Sequence, residues 1–315
     1  MIVKRQKILP GDNLWCSHKM KDHQLKALLK VAEEGSIRAA AKALHLSQSA
    51  LTKALRELEA DLGAQLLIRS YRGVDFTPAG KTLLTRARLA ISTLDKARDE
   101  IRWLQGGIGM RVNVAVTSSV ATTALATVLN EFEKELPDVS LRFVEGMLPT
   151  VLPGLMEGDL DFAIAVAEPE QLPYEIVFEP LTQILSEPVA REGHPLLGAT
   201  DWSQMLSARW VLSLATGSSA QQLVSWLESA GVPLSQRIVH CDSPFLMTEL
   251  IRRTDLVGFG PRIFFTDPLS GCGLAGFDGL PTFPSHALGL LKLKGTPLSP
   301  GAQKLADLFR RHISQ

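Results

Sequence analysis

The stretch LHLSQSALTKALRELEADLG, residues 44–63, decides the fold of the first part of this chain. Leu51, Leu55, Leu58 and Leu62 recur at intervals of four, three and four residues, the repeat that lines one side of an α-helix. Those leucines must face a core. The opposite face is polar without being acidic, so the pattern predicts a helix with one buried face and one face available to a partner.

The side chains on the polar face have the chemistry of groove reading. Gln and Thr bond base edges, while Lys and Arg reach phosphates or guanine. From the helix alone, an ordinary solvated face explains the pattern equally well. The candidate DNA-reading residues on this helix are Gln48, Ser49, Thr52, Lys53 and Arg56.

Two helices are predicted before this one, and a hairpin after it. The stripe in HQLKALLKVAEEG ends at Gly35, a usual helix terminator, and Ser36 and Ser47 are placed to cap the next two helices. After them, LLIRSYRGVDFT reads as two short strands that carry Arg69 and Arg72. A hairpin directly after such a helix is typical of a winged helix-turn-helix, whose wing contacts the DNA backbone or minor groove. The combination favours DNA binding.

A long helix is predicted to open at Thr77 and Pro78, with Thr77 as its N-cap. Its apolar residues alternate four and three positions apart, which is the period of a coiled-coil seam, and about 27 residues make a rod of about 40 Å. We expect this helix to join two chains in a homodimer; the alternative is a helix that packs only on its own domain. The seam consists of Leu83, Ala87, Ala90, Leu94, Ala97, Ile101 and Leu104.

The remaining residues alternate strands and helices, which predicts α/β structure with largely parallel strands in two lobes. Ligands of such sheets lie beyond the carboxyl ends of strands, where helix N-termini present free N–H groups. Hydroxyl-rich turns stand at two of these points, although helix capping explains either one alone. The candidate effector residues are Thr117, Ser118 and Ser119 in the first turn, Thr216, Ser218 and Ser219 in the second, and Ser243 and Phe245 as walls, with Phe245 equally a candidate for the core.

Composition and charge narrow the class of protein. The 315 residues are 45% hydrophobic and 21% charged, without an apolar run that spans a bilayer or forms a signal peptide. Residues 1–105 hold 19 Lys and Arg against 11 Asp and Glu, and the rest hold 14 against 22. A basic first third on an acidic body indicates a polyanion-binding module.

The three cysteines are scattered without metal spacing, so we expect reduced thiols in the cytoplasm, and no membrane, metal or cofactor.

At this point the residues resemble a known family. The segment VAEEGSIRAAAKALHLSQSALTKALRELEADLGAQLLIRSYRGVDFTPAG, residues 31–80, resembles the N-terminal signature of the LysR-type transcriptional regulators, and the likeness extends over nearly the whole chain. One departure is Ser49, where many members carry proline. By the same motif, Gln48, Ser49, Thr52 and Lys53 read the groove and Arg72 lies on the wing; Arg56 is added from the helical spacing. Met20 matches the usual start of the family.

The resemblance implies four parts. They are an N-terminal extension at residues 1–19, an all-α winged helix-turn-helix at 20–77, a dimerisation helix at 78–105, and a two-lobed α/β effector-binding domain at 110–315 that resembles periplasmic solute-binding proteins. Lobe I covers about 110–182 and 286–315, and lobe II about 183–285. The implied partners are double-stranded promoter or operator DNA, a small-molecule effector, a second chain in a homodimer that assembles to a homotetramer, and RNA polymerase as a further candidate.

Rival functions explain less of the sequence. An enzyme lacks support, because no nucleophile elbow, P-loop, dinucleotide fingerprint or zinc spacing is present, and we assign no catalytic residues. A solute-binding protein without a transcriptional role leaves the basic helix-turn-helix unexplained. A structural DNA-packaging protein leaves the two lobes unexplained. We therefore expect a DNA-binding regulator whose effector, an organic carboxylate, binds between the lobes and changes DNA binding or promoter activation.

Overall fold

The computed structural model describes residues 20–70, 73–107, 109–215, 218–229, 231, 237–283 and 285–313. The predicted N-terminal extension, residues 1–19, lies outside the described residues. The contacts divide the chain into two compact units, with the boundary between Thr93 and Leu94.

The first unit contains three short helices and a two-stranded hairpin. Helices α1 (Asp22–Glu34), α2 (Ile37–Ala43) and α3 (Gln48–Leu62) precede strands β1 (Leu67–Ser70) and β2 (Gly73–Phe76). The strands pair in antiparallel register. The side chains with the lowest exposure in the helical core come from all three helices and the start of the hairpin: Leu28, Val31, Ala40, Leu51, Leu58 and Leu66. The predicted leucine stripe is thus buried, except for Leu62, which is 37% exposed.

The caps that the sequence predicts are present. Ser36 Oγ accepts a hydrogen bond from Ala39 N at 3.5 Å, and Ser47 Oγ accepts one from Ala50 N at 3.1 Å. Gly35 ends α1 with a φ of 65°, a left-handed conformation that favours glycine. These caps fix the turns between the helices and therefore the direction in which α3 projects.

Helix α4 (Pro78–Leu104) begins against the hairpin. Thr77 Oγ1 accepts a hydrogen bond from Gly80 N at 3.0 Å, which confirms Thr77 as the cap. A Cβ atom at Gly80 would lie 2.2 Å from Leu66 O, so only glycine allows the helix to pass this close. Further along, Leu84 and Ala87 are buried in the same unit. The first turns of α4 are therefore held by the hairpin and the helical core.

The last turns of α4 belong to the second unit, where two ion pairs hold them. Lys96 Nζ lies 2.7 Å from Asp161 Oδ1, and Asp161 Oδ2 accepts a hydrogen bond from Asn113 N at 2.8 Å. The Asp161 side chain is only 4% exposed. Asp99 Oδ2 accepts hydrogen bonds from Arg111 Nε and Nη2 at 3.1 and 2.9 Å. These bonds join the helix to the first sheet of the α/β body.

The first sheet has the strand order β4-β3-β5-β12-β6 and forms the first lobe. Its strands β3, β4 and β5 are parallel to one another, while β12 runs antiparallel to β5 and β6. Helical segments follow β3 and β4, and the last helix packs on the same sheet. The elements are β3 (Arg111–Val116), α5 (Ser118–Val120), a π-helical turn (Ala121–Leu125), α6 (Ala126–Glu135), β4 (Ser140–Glu145), α7 (Leu148–Met156), β5 (Phe162–Val166), β6 (Ile176–Ile184), β12 (His286–Leu293) and α11 (Pro300–Ile313).

The second sheet has the strand order β11-β7-β10-β8-β9 and forms the second lobe. Strands β8, β9 and β10 are parallel, and β7 runs antiparallel to β10 and β11. Its core contains Trp210, Phe259 and Met205. The elements are β7 (Ser186–Arg191), β8 (Arg209–Leu212), α8 (Ala220–Ser229), β9 (Ile238–His240), α9 (Pro244–Arg253), β10 (Leu256–Pro261), α10 (Arg262–Thr266) and β11 (Leu274–Gly276).

The two lobes are joined by two chain crossings. The first runs from β6 to β7 through Leu185, whose carbonyl accepts a hydrogen bond from Arg262 N at 2.9 Å. The second returns from β11 to β12. On the side of the first sheet the crossings lie next to each other, because Ile184 and His286 are paired residues of neighbouring strands.

The closing helix α11 is tied to β6 by a two-point ion pair. Arg310 Nε and Nη2 donate hydrogen bonds to Glu179 Oε1 and Oε2, each at 2.8 Å. These hydrogen bonds, together with the charge of Arg310, lower the pKa of Glu179, while burial raises it. Helix α11 also supplies Leu305, Leu308 and Phe309 to the core of the first lobe.

Replacing Asp161 with alanine tests the joint between α4 and the first sheet. The change leaves Lys96 Nζ and Asn113 N without their carboxylate partner. Breaking a fully buried pair costs about 3–5 kcal/mol. Lys96 keeps 27% exposure, so we expect a loss of about 2 kcal/mol in the free energy of unfolding. Urea unfolding of the full-length protein measures this loss.

Asp95→Ala is the matched control on the same helix. Its ion pair with Arg98 is exposed, at 46% for Asp95 and 54% for Arg98, and such pairs contribute about 0–1 kcal/mol. An Asp161 variant no less stable than the Asp95 variant would show that the buried pair does not hold the joint.

Candidate functional site

The polar side of α3 forms one continuous exposed surface, which we call the α3 face. The leucine side of the helix is buried, so the opposite side chains project outward. The Lys53 side chain is 79% exposed, and its Nζ lies 3.9 Å from Glu57 Oε1. Five of the six predicted DNA-reading residues lie on the α3 face with Glu57 and Ala60: Gln48, Ser49, Thr52, Lys53 and Arg56. The sixth, Arg72, lies outside the described residues.

Glu59 positions α3 against the hairpin, a role that the sequence analysis missed. Its Oε1 accepts hydrogen bonds from Leu66 N at 2.8 Å and from Leu67 N at 3.2 Å. A carboxylate that accepts two backbone N–H groups fixes the end of one element relative to the next. The direction in which the α3 face points therefore depends on the Glu59 side chain as well as on the buried leucines.

The second candidate site is a cavity of about 500 Å³ between the two lobes. It lies beyond the carboxyl ends of the parallel strands, as expected for open α/β sheets. Six of the eight predicted effector residues line it: Thr117, Ser118, Ser119, Ser218, Ser219 and Ser243. Thr216 lies outside the described residues.

Phe245 is placed differently from both alternatives considered for it. It is not among the described residues that line the cavity, and it is 72% exposed rather than in the core. Ser243 caps α9, since its Oγ accepts a hydrogen bond from Leu246 N at 3.4 Å. Pro244 and Met247, three positions apart on one face of the helix, form the cavity wall instead. The side chain of Phe245 therefore leaves the helix in another direction.

In the first lobe, the turn after β3 offers hydroxyls and backbone N–H groups to the cavity. Thr117 Oγ1 and Ser119 Oγ lie 3.0 Å apart, and Ser119 is 4% exposed. Val120 N and Ala121 N both donate to Thr117 O at 3.0 Å. The N–H groups of Ser118 and Ser119 have no acceptor in the part of the chain that the structure describes. Free N–H groups in this position attract negative charge.

In the second lobe, part of the hydroxyl chemistry is used within the fold. Ser218 Oγ donates to Ser213 O at 2.8 Å, and Ser213 Oγ donates to Asp242 Oδ1 at 2.8 Å. The Ser218 hydroxyl can therefore only accept a further hydrogen bond. Sequence reasoning took Ser218, Ser219 and Ser243 from the ends of these two strands but missed Ser213 and Asp242, which stand closer to the same strand ends.

The remaining lining is apolar, with few ionisable groups. Met147, Met247 and Phe264 belong to the apolar part. The ionisable side chains of the described lining are Glu145, Asp242 and His286, and no Lys or Arg is among them. His286 Nδ1 lies 3.8 Å from Glu168 Oε1. The cavity thus combines hydroxyls, helix N–H groups, two carboxylates and an apolar wall.

The described residues contain no group of three or more His, Cys, Asp or Glu side chains arranged to hold a metal ion. None of their helices has the length and apolarity that crossing a bilayer requires.

Two protein families match this chain. The family described as "Bacterial regulatory helix-turn-helix protein, lysR family" matches residues 23–81, which include the α3 face. The family described as "LysR substrate binding domain" matches residues 105–314, which hold the cavity. The chain belongs to the LysR family of transcriptional regulators.

Individual relatives agree with this assignment. This LysR-family protein is 27% identical over 297 residues to the HTH-type transcriptional regulator TdcA of Escherichia coli K12, covering 93% of this chain and 94% of TdcA. The crystal structure of ArgP from Mycobacterium tuberculosis shares the fold with a TM-score of 0.70 at 22% identity, covering 94% of this chain and 98% of ArgP. Full-length CbnR in complex with its target DNA gives a TM-score of 0.65 at 21% identity, covering 93% and 100%.

The expected family and fold class are therefore confirmed. The protein is a LysR-type transcriptional regulator with a helix-turn-helix domain and a two-lobed effector-binding domain. Its LysR-type relatives are regulators, a class of protein that is generally not enzymatic. A solute-binding protein without a transcriptional role is no longer needed as an explanation, because the helix-turn-helix itself matches a regulatory family.

Proposed function

We propose that this regulator reads promoter DNA with the polar face of α3, and that a small organic carboxylate in the cavity between the lobes changes that binding. The observation that carries the proposal is the cavity, which is lined by hydroxyl residues of both lobes and by the N-terminal residues of α5. A ligand that binds one arrangement of the lobes better than another shifts the population towards it. That shift alters how dimers are arranged in a homotetramer, and thereby which operator half-sites are occupied or how RNA polymerase is engaged.

The DNA-reading role rests on the α3 face. Gln48, Ser49 and Lys53 are exposed at the start of the helix, which is the part that reaches base edges in helix-turn-helix proteins. Arg56 follows about two turns into the helix and lies on the same α3 face. Arg72 is proposed as the wing contact from its position in the sequence.

Lys53→Ala tests this reading face. The variant loses one cationic contact, so the slope of log Kobs against log salt should become shallower by about one unit. If Lys53 also reads a base, discrimination between the DNA upstream of its own gene and scrambled DNA should fall by about 1–3 kcal/mol. Fluorescence anisotropy across a salt series measures both quantities.

Lys26→Ala is the matched control. Lys26 lies on α1, where its ammonium group pairs with Asp22 at 2.7 Å, and it is not part of the α3 face. Equal losses on specific and scrambled DNA would restrict Lys53 to a phosphate contact. Unchanged binding would remove it from the interface.

The dimerisation role rests on the exposed part of the α4 seam. At its start, Leu83 packs against the helical core of the first unit, and Ala87 is buried. From Ala90 onward the seam has no such cover among the residues that the structure describes: Leu94 is 52% exposed, Ile101 56% and Leu104 74%. A row of exposed apolar residues at this spacing supports packing against the same helix of a second chain.

Leu94→Asp places a charge in the centre of this seam, where a paired helix would bury it without a partner. We expect the dimer, and any tetramer built from it, to dissociate in multi-angle light scattering at micromolar concentration. Thr93→Asp adds the same charge one residue away on an exposed position off the seam, and should keep the assembly. Identical masses for the Leu94 variant and the parent protein would show that the seam does not join chains.

A panel of small carboxylates and their amides tests the effector class. A carboxylate at about 100 times its dissociation constant should add roughly 2.7 kcal/mol of stability, visible as a thermal shift. The matching amides should add less, since they carry no negative charge for the helix N–H groups. Ser119→Ala and Ser218→Ala should reduce the response, whereas Ser229→Ala, an exposed hydroxyl at the end of α8, should not. Amides that stabilise as well as acids would argue against a carboxylate effector.

A further inference from the structure

The charge of the cavity lining gives information about the effector beyond its carboxylate. The described lining contains Glu145 and Asp242 but no Lys or Arg. A simple carboxylate would meet two groups of its own charge in this cavity. Both acids are exposed, so water weakens this repulsion without removing it at contact distance.

The two acidic residues occupy equivalent places in the two lobes. Each sheet has an edge strand that runs parallel to the strand leading into the hydroxyl turn: β4 beside β3, and β9 beside β8. Glu145 ends β4, and Asp242 follows β9 by two residues. Both lobes therefore present one hydroxyl turn and one carboxylate side by side.

Neither carboxylate has a cationic partner among the residues that the structure describes. Asp242 accepts a hydrogen bond from Ser213 Oγ, which orients Oδ1. Glu145 has no ion pair or side-chain hydrogen bond within the described part of the chain. Elsewhere in the same body, buried or half-buried carboxylates such as Asp161 and Glu179 are paired with Lys96 and Arg310. Glu145 and Asp242 are instead exposed, so water solvates them and a cationic group of a ligand can contact them.

We propose that the effector is an amino carboxylate, such as a free amino acid, whose ammonium group is bound by Glu145 and Asp242. This inference rests on the proposed function, since it concerns the same cavity. The carboxylate of the ligand faces the free N–H groups of Ser118 and Ser119, and the ammonium group faces the acids. The wall with Met147, Met247 and Phe264 suits an apolar side chain. The volume of about 500 Å³ exceeds the needs of a small amino acid.

The test uses matched sets of compounds on the full-length protein. For each of the twenty standard amino acids, thermal shift and calorimetric titration compare the free amino acid, its N-acetyl derivative and the carboxylate that lacks the amino group. Acetylation and deamination remove the positive charge and keep the carboxylate. We expect at least one free amino acid to bind, with a dissociation constant at least about tenfold lower than those of its two partners, as for a charge-assisted hydrogen bond.

Variants assign the preference to the two acids. Glu145→Gln and Asp242→Asn keep the size of the side chain and remove the charge, and the asparagine can still accept from Ser213. Each should reduce the tenfold preference, and the double variant should abolish it. Asp138→Asn is the matched control, because Asp138 is an exposed carboxylate of the first lobe just before β4, at the strand end opposite to Glu145. It should leave the preference unchanged.

The outcomes separate this inference from the function on which it rests. Deaminated carboxylates that bind as tightly as the amino acids, or a preference that survives in the double variant, would overturn the amino group and leave a carboxylate effector in place. No stabilisation by any amino acid or any carboxylate would overturn both.

Discussion

The parallel pairing of the central strands is the constraint on which the effector-binding body depends. In each sheet three neighbouring strands run in the same direction, so the segments that follow them all emerge at one edge. Two such edges face a common cavity. The polar residues that meet there are far apart in sequence, and only the shared strand direction brings Ser119, Glu145, Ser218 and Asp242 together.

The N-terminal domain could be predicted from sequence almost completely, because its signals are local. A leucine stripe, two serine caps and a terminating glycine specify the three helices within a few turns, and Thr77 and Pro78 specify the start of α4. The contacts that position these elements were not predictable in the same way. Glu59 bonds to the hairpin seven and eight residues further along, and Lys96 bonds to Asp161 across 65 residues. No periodicity identifies such partners.

In the effector-binding domain the parallel strands were predictable as apolar runs, but three antiparallel strands were not. Strand β6 contains Pro180 and is half-buried or exposed between its two buried ends, and β7 contains Pro188, so neither has the apolar run of a central strand. Strand β11 is only three residues long. The hydroxyl side of the cavity followed from strand ends, whereas Glu145 and Asp242 look in the sequence like ordinary surface acids. Phe245 was misplaced because a strand-end rule does not give the direction of a side chain within the first turn of a helix.

The two crossings between the lobes limit how the cavity can change shape. Because Ile184 and His286 are paired neighbours, both crossings leave the first sheet at one point. One lobe can therefore rotate against the other about the line through these two crossings. Rotation about that line is soft, while sliding or twisting one lobe against the other would strain two chain segments at once. If an effector binds as proposed, its binding energy would act on this one opening angle. A protease cut in either crossing would leave the lobes connected but would release the forbidden motions, so a nicked protein could retain its ligand and lose the signal.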